Sequence, residues 1–385
     1  MKGKRNKESK MHDNKTLGVA LSGGGSRAMA FHLGCFRALD DLGFLDKIDH
    51  ISSVSGGSLF SALYCYYDES FSSTDERVVK LLRSGLQMKI VLKYLSPVSL
   101  IRILSTQLIS GTTAIICRIL NWHPFFSLNP PLRRWYSRTN VFIKVLEKEL
   151  FKGLTLKSKT KNDIDVIINA CELSTGSAFR FGNRETGNWR FGKVKGNSIS
   201  LSETVACSAA YPLLLPALDK YYTFQKRDLE SDERVFLTDG GVYDNTGVTC
   251  FDPDKDSNYS FNSFKPDYIF AFDAGHGIYS KRSSPYYMIS RMNQSYQTTF
   301  RKRQDGIKKD LHEYLKSGKI DGFIFSYLGQ NDNALPYLPA NFITNDQVNT
   351  YPTDFKAMSE EDIELISGRG EQLTRVLISH YNPTI

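Results

Sequence analysis

The sequence predicts an α/β fold whose sheet is mainly parallel and covered by helices on both faces. Three observations predict it. Short apolar runs alternate with stretches of helical periodicity along most of the 385 residues. The runs at 17–21, 164–171 and 268–272 are apolar almost throughout, the pattern of strands buried on both sides. Three motifs of small residues, at 22–28, 53–57 and 239–241, each follow the end of a predicted strand. Open α/β sheets bind their ligands beyond those carboxyl ends.

Taken in order, LGVAL at 17–21 reads as the first buried strand. SGGGSRA at 22–28 turns into a helix over 29–42, where Phe31, Leu33, Phe36, Leu39 and Leu42 recur at helical spacing and Gly43 is the stop. A second strand at 48–54 leads through Ser55 into a helix over 56–67. A helix is expected at 141–150, a strand at 164–171, and shorter β-like runs around Phe179, Phe181 and Trp189. A helix over 201–211 is stopped by Pro212. RVFLT at 234–238 is a strand running into Asp239, and YIFAF at 268–272 is one running into Asp273. A late strand spans 323–327, and Ser359, with Asp362 three residues later, caps a last helix to about Tyr381.

The chain is 41% hydrophobic and carries no Pro/Gly linker, repeat or low-complexity block. Residues 16–385 are therefore expected to form one large domain after a basic, disordered tail at 1–15. The six cysteines are scattered without a CxxC pair, which argues against a zinc site or a disulfide framework and fits a reducing cytoplasm. The N-terminus is polar and lacks the apolar core of a secretory signal.

The net charge of +8 is segregated. Eleven basic residues and no carboxylate lie between Glu76 and Glu147, which leaves the rest of the chain net acidic once the tail is set aside. This block, an insertion at about 77–146, is also apolar. Its longest uncharged run, 103–117, contains Ser, Thr, Gln and Gly and reads as too short and too polar to span a membrane. Apolar stretches interleaved with Lys and Arg suit an element lying in an anionic membrane interface. An ordinary core-facing amphipathic insertion is the alternative. Aromatic residues in the block (Tyr94, Trp122, Phe125, Phe126, Trp135, Tyr136) could stack on bases, but no nucleic-acid module accompanies them and no nucleic acid is expected.

The chemistry centres on ISSVSGGSLFSALY at 51–64. An apolar β-prone run ends in a serine, and two glycines open a helix. That is how a strand–turn–helix presents a hydroxyl above a sheet. Ser55 occupies the nucleophile position of G-x-S-x-G, with Ser53 in place of the first glycine and Gly57 as the last. The glycine run Gly23, Gly24, Gly25 frees the backbone to aim several N–H groups into one concavity at a helix N-terminus. A dinucleotide site would want an acidic residue at the next strand end, where the serine turn stands instead. A phosphate-binding P-loop would want G-K-[ST], and Arg27 does not replace that lysine. An oxyanion hole beside a nucleophile accounts for both motifs. Asp239, at a strand end and followed by Gly240 and Gly241, is a candidate base for the serine, although a D-G-G alone is commonly a tight turn.

In these motifs the chain resembles the patatin-like phospholipase family. GGGSR at 23–27 resembles its oxyanion loop, SVSGG at 53–57 its nucleophile elbow, DGG at 239–241 its D-G-[AG] motif, and PLLLPAL at 212–218 its proline-containing stretch. The resemblance spans roughly residues 16–278, and the chain departs from it at Ser53 and Ala28, where glycine is common. It implies a three-layer patatin-like fold and a cofactor-free lipid acyl hydrolase. Ser55 would be the nucleophile, Asp239 the base without a histidine, and Gly23–Gly25 the oxyanion donors. Arg27, Ser53, Gly57, Gly240 and Gly241 would support the elbow and loop. The partner would be a membrane phospholipid or another acyl lipid, met by a cytoplasmic, peripherally membrane-associated enzyme.

Three rivals are weighed on the residues. The order Ser55, Asp239, His276 matches an α/β-hydrolase triad, but in that fold the serine follows several more strands. A lipid-binding or regulatory protein with an inactive elbow would explain Ser53, but Ser55 and Asp239 are both intact. Asp252, Asp254 and Asp256 have calcium-loop spacing, yet Ser257 and Ser263 stand where glycine and glutamate are needed, so the string reads as an acidic loop and no metal is expected. The other histidines (His12, His32, His50, His123, His312, His380) have no motif context.

Overall fold

The computed structural model describes residues 15–122, 132–196, 199–256, 260–276 and 285–385. Residues 1–14 of the expected tail at 1–15, and Phe125, Phe126, His123 and Ser257, lie outside the described residues. The chain starts with β1 (Leu17–Leu21), α1 (Gly25–Asp41), β2 (Ile48–Ser53) and α2 (Gly56–Cys65). Next come α3 (Phe71–Ser84), α4 (Gln87–Tyr94), α5 (Pro97–Leu120) and α6 (Arg138–Glu149). β3 (Asp165–Glu172), β4 (Ser177–Gly182), β5 (Thr186–Asn188) and β6 (Gly192–Val194) lead to α7 (Leu201–Ser208). β7 (Leu218–Lys226), β8 (Leu229–Asp239), β9 (Tyr268–Asp273), α8 (Met288–Lys316), β10 (Gly322–Tyr327), α9 (Asn345–Val348) and α10 (Glu360–Tyr381) complete the order.

The strands form one sheet in the order β10-β9-β1-β2-β3-β4-β5-β6-β7-β8. From β10 to β3 every pairing is parallel. From β3 to β8 every pairing is antiparallel, and β8 returns to pair with β3, closing those six strands on themselves. The parallel expectation thus holds for the half that carries the glycine loop and the serine elbow. In the other half the strands at 164–171 and 234–238 and the runs around Phe179 and Phe181 are also present, but the antiparallel pairing and β7 are not legible in the sequence, since β7 is a polar hairpin arm, LDKYYTFQK, with only alternate residues facing inward over most of its length.

Side-chain alternation makes three layers. Leu17, Val19, Leu21, Phe270 and Phe272 point into a core shared with α1, α2 and α10, whereas Ala20, Ile269 and Ala271 point to the opposite face with Ile307 and Leu311 of α8. The α10 start is as expected: Ser359 is the N-cap, and its Oγ accepts from the Asp362 N–H at 3.0 Å.

The basic block has narrower limits than its charge implied. α3 and α6 bury Val78, Leu81, Leu82, Phe142 and Leu146 in the main core, and α4 packs Ile90 against it, so α5 is the part that stands furthest off. The block is also longer as a helix than the uncharged run suggested. α5 has 24 residues and is long and apolar enough, by length and composition, to cross a membrane, which corrects the expectation that it is too short and too polar. The helix continues past Arg102 and Arg118, one near each end, and reaches about 36 Å at 1.5 Å per residue.

Candidate active site

β3 brings the two halves of the site together. β2 pairs with its first half, Ser53 opposite Ile168. β8 pairs with its second half, Asp239 opposite Ala170. β4 occupies the other edge of β3 along both halves. The ends of β2 and β8 therefore meet on one edge of one strand, and Ser55 and Asp239 project from them.

Ser55 sits at φ 51°, ψ −116°, between β2 and the first turn of α2. An L-residue there is strained, at a cost of about 1–3 kcal/mol, and such strain gathers at functional turns. Two glycines let the neighbouring backbones close up. A Cβ at Gly23 would lie 3.2 Å from the Ser55 Cβ, so the glycine loop touches the elbow directly. Gly56 packs on the Gly25 backbone in the same way. Ser53, in the elbow's first position, is buried without conflict. Its Oγ is 2.8 Å from Ser61 Oγ and donates to Ile167 O at 3.2 Å, so serine fits where glycine is usual.

Asp239 is buried, with its Oδ1 accepting the Gly241 N–H at 2.7 Å. Burial pushes its carboxyl up to about 7, and hydrogen bonds from Gly241 and Ser55 oppose that rise. A Cβ at Gly240 would run into Asn169 O and lie 3.2 Å from Val54 Cγ1, so the D-G-G turn is a close-approach site as well as a turn.

Among the glycine-loop amides, Gly23 N–H already donates to Asn245 O at 3.0 Å. Those of Gly24 and Gly25 meet no protein acceptor among the described residues. Gly24 (φ 146°) and Gly25 (φ 61°) hold conformations that favour glycine. Arg27 braces the loop from behind: Nε donates to Ala274 O and Nη1 to Tyr351 O, both at 2.9 Å. A strap at 351–358 covers the same helix start. Asp354 O accepts the Ser26 N–H at 2.7 Å, and the next carbonyl, of Phe355, accepts Leu86 and Gln87 N–H at 2.9 and 3.0 Å.

His276 is placed elsewhere. Its ring partners are the Arg27 guanidinium and the Asn349 backbone, and burial with the Arg27 charge pushes its pKa down to about 3. Asp252 accepts from Tyr314 OH at 2.9 Å and Asp254 pairs with Lys319, so these carboxylates are engaged by side chains of the α8 region.

Sequence reasoning missed several residues of the site. Asn169 donates from Nδ2 to Ser52 Oγ and Ser53 O at 2.9 and 3.1 Å. Ser208 and Asn245 bond the elbow and the glycine loop. Tyr296 of α8 has its hydroxyl buried; burial first, and then the Asp239 charge, raises its pKa. Its ring lies 5.4 Å from that of Tyr211. Only Asn245, shortly beyond Asp239, carried a signal, as part of the same small-residue turn.

A strained serine at a strand-to-helix turn and a buried carboxyl thus share one edge of β3 on a three-layer α/β scaffold, next to two loop amides without a protein acceptor among the described residues. The Patatin-like phospholipase family model matches residues 19–252, more than half of the chain, and the chain belongs to that family. Among solved structures it is similar to human GIVD cytosolic phospholipase A2, at 12% identity and a TM-score of 0.55, covering 97% of this chain and 63% of that one. It is also similar to the same human enzyme in complex with methyl gamma-linolenyl fluorophosphonate and terbium chloride, at 12% identity and a TM-score of 0.51, covering 96% of this chain and 58% of that one. The chain thus spans less than two thirds of those proteins, and the likeness is one of fold. No curated protein matches it in sequence.

Proposed function

We propose that the protein is a lipid acyl hydrolase of the phospholipase A type, working through a Ser55–Asp239 dyad. The observation that carries this reading is the strained Ser55 turn brought by β3 to the same edge as Asp239, a buried carboxyl whose pKa is raised to about 7. Ionised Asp239 takes the Ser55 proton as Oγ attacks the ester carbonyl. The oxyanion is received by the Gly24 and Gly25 N–H groups. Collapse breaks the ester C–O bond, and the leaving alcohol takes the proton back from Asp239. Water then attacks the acyl-Ser55 ester, gives its proton to Asp239, and releases the fatty acid as that proton returns to Ser55. No step uses a cofactor.

The same reading gives α4 and α5 the task of meeting the substrate. Ile101, Leu104, Leu108, Ile115 and Ile119 recur at helical spacing on one stripe of α5, and all are exposed, Leu108 by 72%. The side turned inward carries Ser99, Ile103 and Thr106. This amphipathicity is inverted relative to a core-packing helix. An outward apolar stripe with Lys93, Arg102 and Arg118 near it suits the surface of an anionic membrane, with the enzyme in the cytoplasm and peripherally bound. The packing of Ile103 with Tyr94, Tyr136 and Val141 ties the helix to the protein along its first turns, which favours lying in the interface over crossing it.

The test is covalent labelling by a fluorophosphonate probe together with hydrolysis of a phospholipid and of a short soluble ester. Wild type is expected to label and turn over. Ser55→Ala and Asp239→Ala are each expected to lose at least about 10³-fold in turnover with the fold retained. Wild-type turnover by Ser55→Ala would refute the reading.

A further inference from the structure

Ser55 is strained, and one side chain outside the recognised motifs holds it. Its N–H donates to Ser208 Oγ at 3.0 Å. Ser208 ends α7 and is fully buried. Its own hydroxyl donates to Asn169 O at 2.6 Å and lies 2.8 Å from Ser58 Oγ. A hydroxyl offers one proton and two lone pairs. With the proton on Asn169 O, both lone pairs are filled, by Ser55 N–H and Ser58 O–H. The bonding capacity of Ser208 is therefore used up entirely, with one bond on the elbow amide, one on the first turn of α2 and one on β3.

Two residues further on, the same segment holds the carboxylate. Ala210 O accepts the Asp239 N–H at 3.1 Å and the Thr238 Oγ1 proton at 2.8 Å. The stretch 208–210 is thus bonded to the main-chain amides of both Ser55 and Asp239. These two residues come from different strands, and the distance between their side chains depends on how β2 and β8 sit against each other. A short segment bonded to both amides acts as a spacer between them. Asn169, which receives the Ser208 proton, precedes Ala170, the ladder partner of Asp239.

We propose that Ser208 is a positioning residue for the dyad: it holds the Ser55 amide in the strained conformation and sets the spacing of Ser55 from Asp239. It touches neither substrate nor the transferred proton. This rests on the dyad reading above. Replacing its hydroxyl leaves the buried Ser55 N–H without a partner and removes the bond that opposes relaxation of the turn. A misplacement of a reacting group by about 1 Å costs about 10²-fold in rate.

The experiment compares Ser208→Ala, Ser208→Cys and Ser55→Ala with wild type, using the short soluble ester, the rate of fluorophosphonate labelling and the melting temperature. Thr204→Ala is the control. Thr204 lies in the same helix, is equally buried, and loses only a bond to Ser200 O. Ser208→Ala is expected to lose about 10²-fold in kcat and in labelling rate with KM unchanged. Ser208→Cys, which keeps a weaker acceptor, is expected to fall between it and wild type. Thr204→Ala is expected to keep kcat within about threefold, as a change away from the named contacts. Wild-type kcat in Ser208→Ala overturns the proposal. So does a loss in Thr204→Ala as deep as in Ser208→Ala, because the effect would then follow from α7 stability alone. Should the alanine variant not fold, Ser208→Cys decides: slower labelling at unchanged KM supports the role, and wild-type labelling overturns it. Activity persisting in Ser55→Ala would instead refute the dyad, a separate and distinguishable outcome.

Discussion

Gly57 stands so close to Leu21 that a Cβ on it would lie 2.6 Å from the Leu21 carbonyl oxygen, and equally close to that of Ser22. The last glycine of the elbow is where α2 crosses the end of β1, and the glycine loop begins there too. Both atoms belong to backbone, which cannot swing aside as a side chain does. Gly57→Ala is expected to destabilise the protein by about 1–3 kcal/mol and to slow Ser55 labelling more than the loss of folded protein explains. Denaturant titration run beside labelling checks both. Unchanged stability would mean that α2 can lift off β1 freely.

The pH profile follows from Asp239. The base must be ionised, and burial sets its pKa at about 7 against an ordinary 3.8. The acid limb of kcat/KM is therefore expected near pH 7, rising with pH. Stability runs the other way. Between 3.8 and about 7 the folded state binds more protons at this group than the unfolded state does, so its contribution falls as pH rises through that window and is flat above it. Asp239→Asn, which keeps an acceptor for the Gly241 N–H, is expected to melt at a higher temperature than wild type at about pH 8 and to lose that advantage near pH 4. A variant that melts below wild type at the higher pH would contradict the assignment.

His276→Ala is expected to keep most of its turnover on the soluble ester. His276 pairs with Arg27 and the Asn349 backbone, while the Asp239 carboxylate accepts from the Gly241 N–H. Loss of a proton-transferring histidine would cost several orders of magnitude. A loss as deep as that of Ser55→Ala, in a folded variant, would restore the triad.

Membrane binding is expected to depend on α4 and α5. Lys89 is already paired with Glu149 at 2.8 Å, so Lys93, Arg102 and Arg118 are the better charges to reverse. At about 1 kcal/mol per basic residue, changing all three to Glu should weaken binding to anionic vesicles by about 10²-fold or more. Leu104→Gln with Leu108→Gln should weaken it at high salt as well, since burial of apolar surface is not screened. Hydrolysis of the short soluble ester should survive both sets of changes. Co-sedimentation at low and high salt measures the binding. Equal binding by the charge-reversed variant and wild type would leave the helices as a structural insertion.

The parallel half of the sheet and the three motifs were legible in the order of residues alone. Strands buried on both faces are written as continuous apolar runs, and glycines mark the places where backbones must come close, so LGVAL, YIFAF, GGGSR and SVSGG could be read without a partner. The antiparallel closure of the second half, the reach of α5 and the contacts that hold the site emerge only once the chain is folded. The helix α8 is mostly polar, and the hairpin arm β7 buries only alternate residues, so neither stands out as an apolar element. The relation of Ser55 to Ser208, and of Asp239 to Ala210, joins residues far apart in the chain through hydrogen bonds of a single hydroxyl and a single carbonyl. Such bonds depend on where strands lie side by side, and a serine or an alanine has the same letter whether or not it makes one.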